Sequence, residues 1–211
     1  MQPEIRLATT AEDLRACRRF WYDVYVLEMG RHTESESIVD HELSELCDPN
    51  DQTADVFMAI SGDDVVGTLQ SAYSRSSDLR SYEELYGLAD RDAADFLGIS
   101  VTSKLMIAPE LRATGLAYRL GVATYLKGLR DGIRENYIDT NEHLIEFYSR
   151  LGYREHLGWI THPAYGRVYS MVINLLDGKH LKRCKSPLLR HLNSYNQLAT
   201  TNGERNNEQV A

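Results

Sequence analysis

The sequence is short of cysteine and of long apolar runs, and each shortage excludes a class of protein. The three cysteines (Cys17, Cys47 and Cys184) are far apart and show no CxxC spacing, which argues against a disulfide framework and a structural zinc site. Free thiols are typical of a reducing compartment, so we predict a cytoplasmic protein without a bound metal. No apolar run approaches the roughly 18 residues that span a bilayer, and no secretory pattern is present. A transmembrane protein is therefore not expected.

Basic residues are also scarce overall. Asp and Glu (31) outnumber Lys and Arg (23), which gives a formal net charge of −8 and argues against nucleic acid as the main partner. The exception is the basic segment, residues 179–191, which holds five Lys or Arg and no acid. Such a segment is typical either of a solvated helix face or of a docking surface for an acidic partner.

The remaining pattern predicts one globular domain over residues 1–178, a helical extension at 179–198 and a disordered polar tail at 199–211. The N-terminal part is predicted to form a strand at 4–8, a helix that follows a capping box at Thr9 and Glu12 and ends at Gly30, and a loop with a short helix at 31–53. A hairpin of strands 56–60 and 65–73 follows, and then a partly helical insertion at 74–98 with a capping box at Ser81 and Glu84. Later strands are predicted near 137–140, 153–160 and 168–175.

A strand-to-helix transition within residues 101–126 carries the most chemical information. An apolar run at 105–107 stops at Pro109, which cannot extend a strand ladder. The first turn of a helix leaves N–H groups unpaired and carries partial positive charge, so it can bind a diphosphate where small side chains let the phosphate approach. The first turn is predicted to hold Arg112, Thr114, Gly115 and Ala117.

A second motif covers residues 141–153. Asn141 is a favourable N-cap after a short strand, and Gly152 supplies a helix stop. Leu144, Tyr148 and Leu151 recur at helical spacing and share one face. The segment therefore predicts a short helix that presents Tyr148.

These two motifs, Arg-x-x-Gly-x-Ala and an Asn followed by Tyr and Leu-Gly-aromatic, resemble the GNAT acyltransferase superfamily. The resemblance implies a single α/β domain with a mixed central sheet of about six to seven strands, helices on both faces and splayed central strands. It also implies an acyl-CoA or acyl carrier protein (acyl-ACP) thioester as donor. The donor contacts implied are Leu105, Met106, Ile107, Arg112, Ala113, Thr114, Gly115, Leu116, Ala117 and Asn141.

The catalytic residues are only partly specified. The resemblance makes Tyr148 the hydrogen-bond donor to the leaving sulfur, although a buried structural tyrosine would follow the same pattern. The strand that precedes the predicted phosphate site carries no acidic residue. The base that deprotonates the amine is therefore left open between Asp48 and Glu45, with His143 and His162 as weaker options. Residues expected to contact the substrate are Trp21, Tyr25, Thr102 and Lys104.

The N-terminal half, from Arg18 to Gly30, resembles N-acyl amino acid synthases and, more remotely, autoinducer synthases. Those autoinducer enzymes carry Glu-x-x-Arg where this chain has Val101-Thr-Ser-Lys104, which argues against a homoserine-lactone product. Three functions remain open. They are a fatty N-acyltransferase acting on an amino acid or a Lys or Orn side chain in a peptide, an acetyl-CoA-dependent N-acetyltransferase, and a non-catalytic acyl-CoA-binding module. The insertion and the basic segment favour the first, with an acyl carrier protein as a candidate partner.

Overall fold

A computed structural model describes residues 2–31, 38–163 and 165–208, with side chains up to 199. Its main feature is a seven-stranded mixed sheet with the order β1-β4-β5-β6-β7-β9-β8. Strands β6 and β7 run parallel, and the other neighbours are antiparallel. These strands are β1 (Glu4–Leu7), β4 (Asp55–Ser61), β5 (Asp64–Tyr73), β6 (Ile99–Ile107), β7 (Glu135–Thr140), β8 (Arg154–His162) and β9 (Gly166–Asn174).

Helices cover both faces of the sheet, as predicted. They are α1 (Ala11–Tyr22), α2 (Arg80–Leu85), α3 (Ala93–Phe96), α4 (Leu116–Arg130), α5 (Ile145–Leu151), α6 (Gly178–Arg183) and α7 (Leu189–Glu208). Side chains alternate across a strand, and β7 shows the consequence. Ile138 packs with α4 and α5 on one face, whereas Tyr137 packs with the 74–98 insertion on the other. The predicted α/β class with a mixed sheet is confirmed.

The first helix begins one residue later than predicted. Thr10, not Thr9, is the N-cap; its hydroxyl accepts from the Asp13 N–H at 3.0 Å, and the Asp13 carboxylate accepts from the Thr10 N–H at 3.2 Å. Asp13 also binds Arg6 through two hydrogen bonds of 2.6 and 2.8 Å. The Arg6 guanidinium holds the pKa of Asp13 well below its usual range. This extra partner favours Asp13 over Glu12 in the capping box.

The described part of the loop predicted at 31–53 holds a small hairpin, formed by β2 (Ile38–Asp40) and β3 (Glu45–Cys47), and no helix; residues 32–37 lie outside the described ranges. The 74–98 insertion is partly helical, as predicted. Its capping box does not form, because α2 starts at Arg80, before Ser81, behind an N-cap at Leu79 without a side-chain hydrogen bond. The hairpin of β4 and β5 is confirmed.

At the C-terminus, α7 continues to Glu208, beyond residue 199, where a disordered tail was expected. The division into a domain, an extension and a tail stays a prediction. Over the residues that the structure describes, no helix combines the length and the apolar character needed to cross a bilayer.

The central strands separate at the point that matters for function. β6 and β7 pair from Ile99 to Val101 and from Glu135 to Tyr137, and their ladder ends there. Farther along, β6 pairs with β5 through a bulge, since Thr68 faces Met106 while Gln70 faces Ser103. The predicted splay is therefore present, and it leaves a gap between the C-terminal ends of two neighbouring parallel strands.

Candidate active site

The gap between β6 and β7 opens into a cleft of about 800 Å³, a volume typical of small-molecule sites. Its walls come from the end of β6, the segment leading into α4, the end of β7, α5 and the π-helix Asp23–Glu28, which continues α1 nearly to the predicted helix end at Gly30. Most of the residues predicted from the sequence line this one cleft: Tyr25, Asp48, Thr102, Lys104, Leu105, Met106, Ile107, Arg112, Ala113, Gly115, Ala117, Asn141 and Tyr148, as well as His143 and His162.

Four predicted residues lie outside the cleft lining. Leu116 is buried in the core, and the Thr114 hydroxyl turns back to donate to the Leu111 carbonyl at 2.6 Å. Glu45 is buried on β3, with its carboxylate 3.4 Å from Arg15 and 3.7 Å from Arg19. The position of Glu45 therefore does not support a role as the base. The fourth residue is Trp21.

Trp21 supports the β6 bulge from behind. It is fully buried, its indole N–H donates to the Thr68 hydroxyl at 2.9 Å, and that hydroxyl donates to the Lys104 carbonyl at 3.1 Å. Lys104 has φ of +52°, a left-handed conformation that is costly for a residue with a Cβ. The hydrogen-bonded relay fixes that conformation, so the structure gives Trp21 a positioning role in place of the predicted substrate contact.

Lys104 and Asp48 form a buried ion pair at the edge of the cleft. The Lys104 ammonium also lies 5.3 Å from the centre of the Trp21 ring, within range of a cation–π interaction. Asp48, one of the predicted bases, is thus already neutralised by a cation from β6.

The end of the cleft at the start of α4, which is the predicted donor end, is built mainly from backbone. Gly115 precedes α4 with φ of +82°, and nothing lies within 4 Å of the position that a Cβ would occupy. The neighbouring Ala113 is also left-handed, with φ of +65°. There is thus open space beside the start of α4, where the first-turn N–H groups lack intrahelical acceptors, and a phosphate site requires both features.

Arg112 is held in place at this end. Its guanidinium makes two hydrogen bonds of 2.6 and 2.7 Å to Glu28, and its Nε donates to the Ile107 carbonyl at 3.0 Å. The pairing lowers the pKa of Glu28 and raises that of Arg112. Arg112 thus connects the π-helix after α1 to the segment that leads into α4, and its contact with a donor phosphate stays a prediction.

Tyr148 enters the cleft from α5. Gly152 ends that helix with φ of +113°, and a Cβ there would lie 2.5 Å from Leu181 Cδ2, so glycine is required. Tyr148 is buried with its ring against Phe147 and Tyr153. Burial, together with the charge of Asp139, raises the pKa of Tyr148. Its hydroxyl therefore stays protonated and can donate a hydrogen bond throughout the neutral range. The helix entry differs from the prediction: Asn141 precedes a short 3-10 turn, and its side chain makes no capping hydrogen bond.

Asp139 lines the same cleft and was missed by the sequence analysis. It lies near the end of β7, where the Tyr86 hydroxyl donates to its carboxylate at 2.7 Å. The signal that could have identified it is strand alternation, because Asp139 shares a face with Tyr137, two residues earlier.

An aromatic group closes the other end of the cleft. Tyr25 and Tyr165 stack at 5.9 Å, His162 stacks on Tyr165 at 4.3 Å, and the Arg31 guanidinium lies 4.7 Å from the Tyr165 ring centre. Through these contacts, the segment that follows α1 packs against the β8–β9 hairpin. Within the described ranges, no cluster of three or more His, Cys, Asp or Glu side chains could hold a metal ion.

Solved structures with the same architecture come from the acyltransferases that the motifs indicated. A CoA-dependent acyl-homoserine lactone synthase, BjaI, described with SAM and isopentyl-CoA, has a TM-score of 0.65 at 14% identity over 88% of this chain and 90% of its own. FeeM, an N-acyl amino acid synthase from uncultured soil microbes, has a TM-score of 0.63 at 14% identity, with 90% and 98% covered. The AHL synthase LasI has a TM-score of 0.65 at 12% identity, with 82% and 90% covered.

No protein-family model matches the sequence, and no curated protein is significantly similar to it. At these identities the structural likeness shows the fold. The chain has the fold found in these autoinducer synthases and in an N-acyl amino acid synthase. The resemblance drawn from two short motifs is confirmed at that level.

Proposed function

We propose that this protein is an N-acyltransferase. It takes a medium- or long-chain fatty acyl group from an acyl-CoA or acyl-ACP thioester and transfers it to the amine of an amino acid or of a Lys or Orn side chain in a peptide. The observation that carries the proposal is the cleft itself. One opening between β6 and β7 places an open helix N-terminus at α4 and a protonated tyrosine, Tyr148, around the same volume.

A second, smaller cavity supports an acyl chain as the transferred group. It has a volume of about 40 Å³, lies between the sheet and α4, and shares Leu105, Ala117 and Tyr148 with the main cleft. Helix α4 contributes Gly121 to it, and a Cβ there would have only Leu151 Cδ1 near it, at 3.8 Å. At this volume the cavity would hold only the first few atoms of an acyl chain beneath α4, and the rest of a longer chain would lie in the main cleft or widen the cavity.

The basic segment supports a donor that carries negative charge on its carrier group. Its five cations (Lys179, Lys182, Arg183, Lys185 and Arg190) are all exposed. Arg190 donates to the Tyr118 hydroxyl at 3.0 Å, and Tyr118 lines the cleft beside the start of α4. The basic segment therefore reaches the rim at the donor end, where a nucleotide or an acidic carrier protein would sit.

Thiol release from acyl-CoA donors with C2, C10 and C16 chains, measured with a panel of amino acids and Lys or Orn peptides, tests the proposal. We expect amine-dependent release that is faster with C10 or C16 than with C2. A preference for C2 would instead identify an acetyltransferase. Thioester binding without release for any amine would identify a binding module. Repeating the assay with acyl-ACP distinguishes the two donors.

A further inference from the structure

Three carboxylates of the described residues line the cleft, and they differ in their partners. Glu28 is paired with Arg112 and Asp48 with Lys104. Asp139 has no cationic partner within 4.0 Å among residues 2–31, 38–163 and 165–199. It is therefore the carboxylate in the described part of the cleft whose charge no neighbouring side chain neutralises.

The position of Asp139 is fixed from behind. Its Oδ1 accepts the 2.7 Å hydrogen bond from Tyr86. Tyr86 is fully buried and stacks between Tyr82 and Tyr137, with ring centres 6.0 and 5.8 Å away. The other oxygen, Oδ2, receives no hydrogen bond from the described residues and can act on a ligand.

The carboxylate faces the same space as the proposed acid. Asp139 follows the last residues of β7 that pair with β6, although β7 still pairs with β9 at this point, and it lines the cleft together with Tyr148. Its negative charge contributes to the raised pKa of Tyr148. A cation bound at Asp139 would thus lie beside the tyrosine that serves the leaving sulfur.

We infer that Asp139 binds the ammonium group of the acceptor and takes its proton, so that the acceptor is a primary amine that arrives as a cation. The inference rests on the proposed N-acyl transfer and supplies the base that the β6 strand lacks. A fixed carboxylate without a cation of its own is the group that attracts an ammonium ion and activates it as a nucleophile.

The proposed acyl transfer conserves atoms, protons and electrons. Asp139 takes one proton from R–NH₃⁺ and passes it to water in the cleft. The neutral nitrogen forms a bond to the thioester carbonyl carbon, and the C–S bond breaks with its electron pair on sulfur. The nitrogen then loses a second proton to water in the cleft, sulfur gains a proton from Tyr148, and Tyr148 takes back that second proton from the water, so that one proton is released overall. The products are an amide and a free thiol.

Asp139→Asn, assayed with two kinds of nucleophile, tests this role. With an amino acid acceptor, whose amine is protonated, we expect kcat/KM to fall by about 10²- to 10⁴-fold, the range for loss of a general base. With hydrazine or hydroxylamine at mildly alkaline pH, the nucleophile is already neutral, so the variant should approach the wild-type rate. The KM for the donor should not change.

Asp48→Asn is the matched control, since it removes the other predicted base from the same cleft. It should slow both kinds of nucleophile alike. An Asp139→Asn enzyme that retains wild-type kcat/KM for protonated amines, or that loses both nucleophiles equally, would overturn the inference while leaving N-acyl transfer intact. A wild-type enzyme that acylates no amine would instead defeat the proposed function.

Tyr86→Phe provides a second variant in case Asp139→Asn does not fold. It keeps the carboxylate and removes its hydrogen-bond donor. We expect a selective loss of rate of about tenfold with protonated amines, the loss that corresponds to one hydrogen bond to a charged group, and little loss with neutral nucleophiles. An equal loss with both would argue against Asp139 as the amine site.

Discussion

The two ends of the cleft differ in composition: backbone forms most of one end, and side chains form the other. At the donor end, left-handed Ala113 and Gly115 lead the backbone into α4, and the nearby cation Arg112 is engaged with Glu28. At the acceptor end, side chains from distant segments define the surface, among them Asp139, Tyr86 and the Lys104–Asp48 pair. Under the proposed function, backbone groups would recognise a feature that every thioester donor shares, whereas side chains would select one acceptor.

The largest expected effect is on stability, and it concerns the buried charge pair at the proposed acceptor end. Lys104 and Asp48 are 3% and 10% exposed, so Lys104→Met leaves a carboxylate without its cation. We expect the free energy of unfolding to fall by about 3–5 kcal/mol, as for other broken buried pairs, in urea denaturation. The control is Arg150→Met, because Arg150 and Glu146 are each 77% exposed and such pairs contribute less than about 1 kcal/mol. Equal losses for the two variants would show that Asp48 is well solvated.

Tyr148→Phe tests whether the Tyr148 hydroxyl acts in the reaction between the donor and the acceptor. We expect kcat to fall by about 10²-fold with little change in donor KM, because the leaving sulfur loses its hydrogen-bond donor. Since the pKa of Tyr148 is raised, ionisation of this group should cause no loss of wild-type activity at mildly alkaline pH. Tyr169→Phe is the control, since the Tyr169 hydroxyl contacts Glu155. A stability loss with normal turnover per folded molecule would make Tyr148 structural.

Arg112 and Glu28 test whether the donor end depends on a side chain at all. Arg112→Glu places negative charge against the donor phosphate and should weaken CoA binding more than about tenfold, or about 1.4 kcal/mol, by calorimetry. Glu28→Gln removes the competing carboxylate and keeps the guanidinium, so CoA affinity should be unchanged or higher. If both variants weaken CoA binding equally, Arg112 acts only by holding the loop.

The smallest effect concerns the chain path beneath α4. Gly121→Ala should raise the free energy of unfolding by about 1 kcal/mol, the helix-propensity difference, because its Cβ meets only an ordinary contact with Leu151 at 3.8 Å. The same methyl group narrows the small cavity, so C16 donors should lose more rate than C2 donors. Gly128→Ala is the control: its Cβ would lie 2.9 Å from Leu175 Cδ2 and should not stabilise. A uniform change across chain lengths would place the acyl group elsewhere.

Much of the donor end could be predicted because its signals are local. Pro109, Gly115 and Gly152 act on the backbone next to them, so the strand end, the helix start and the helix stop follow from short stretches of chain. The hairpin of β4 and β5 is equally local. Errors arose where local signals competed, as at Thr9 and Thr10, where a distant arginine, Arg6, favoured the later cap.

The acceptor end could not be predicted in the same way. Trp21 and Glu45 had residue types suited to the cleft, yet packing turned Trp21 toward Thr68 and left Glu45 with the arginines of α1. Asp139 carried no motif, and its role depends on which cations lie near the other carboxylates. Such pairings join residues far apart in the chain, and sequence spacing alone does not report them.

By itself, the sequence determined the α/β class, the order of the main strands and helices, and the backbone turn before α4, because each depends on apolar periodicity and on glycine or proline at particular positions. The tertiary structure alone decided which charges are neutralised. Among the described residues, two of the three carboxylates in the cleft are paired with a cation from a distant segment and Asp139 is not, because ion pairing depends on distance in space and weakens as that distance grows.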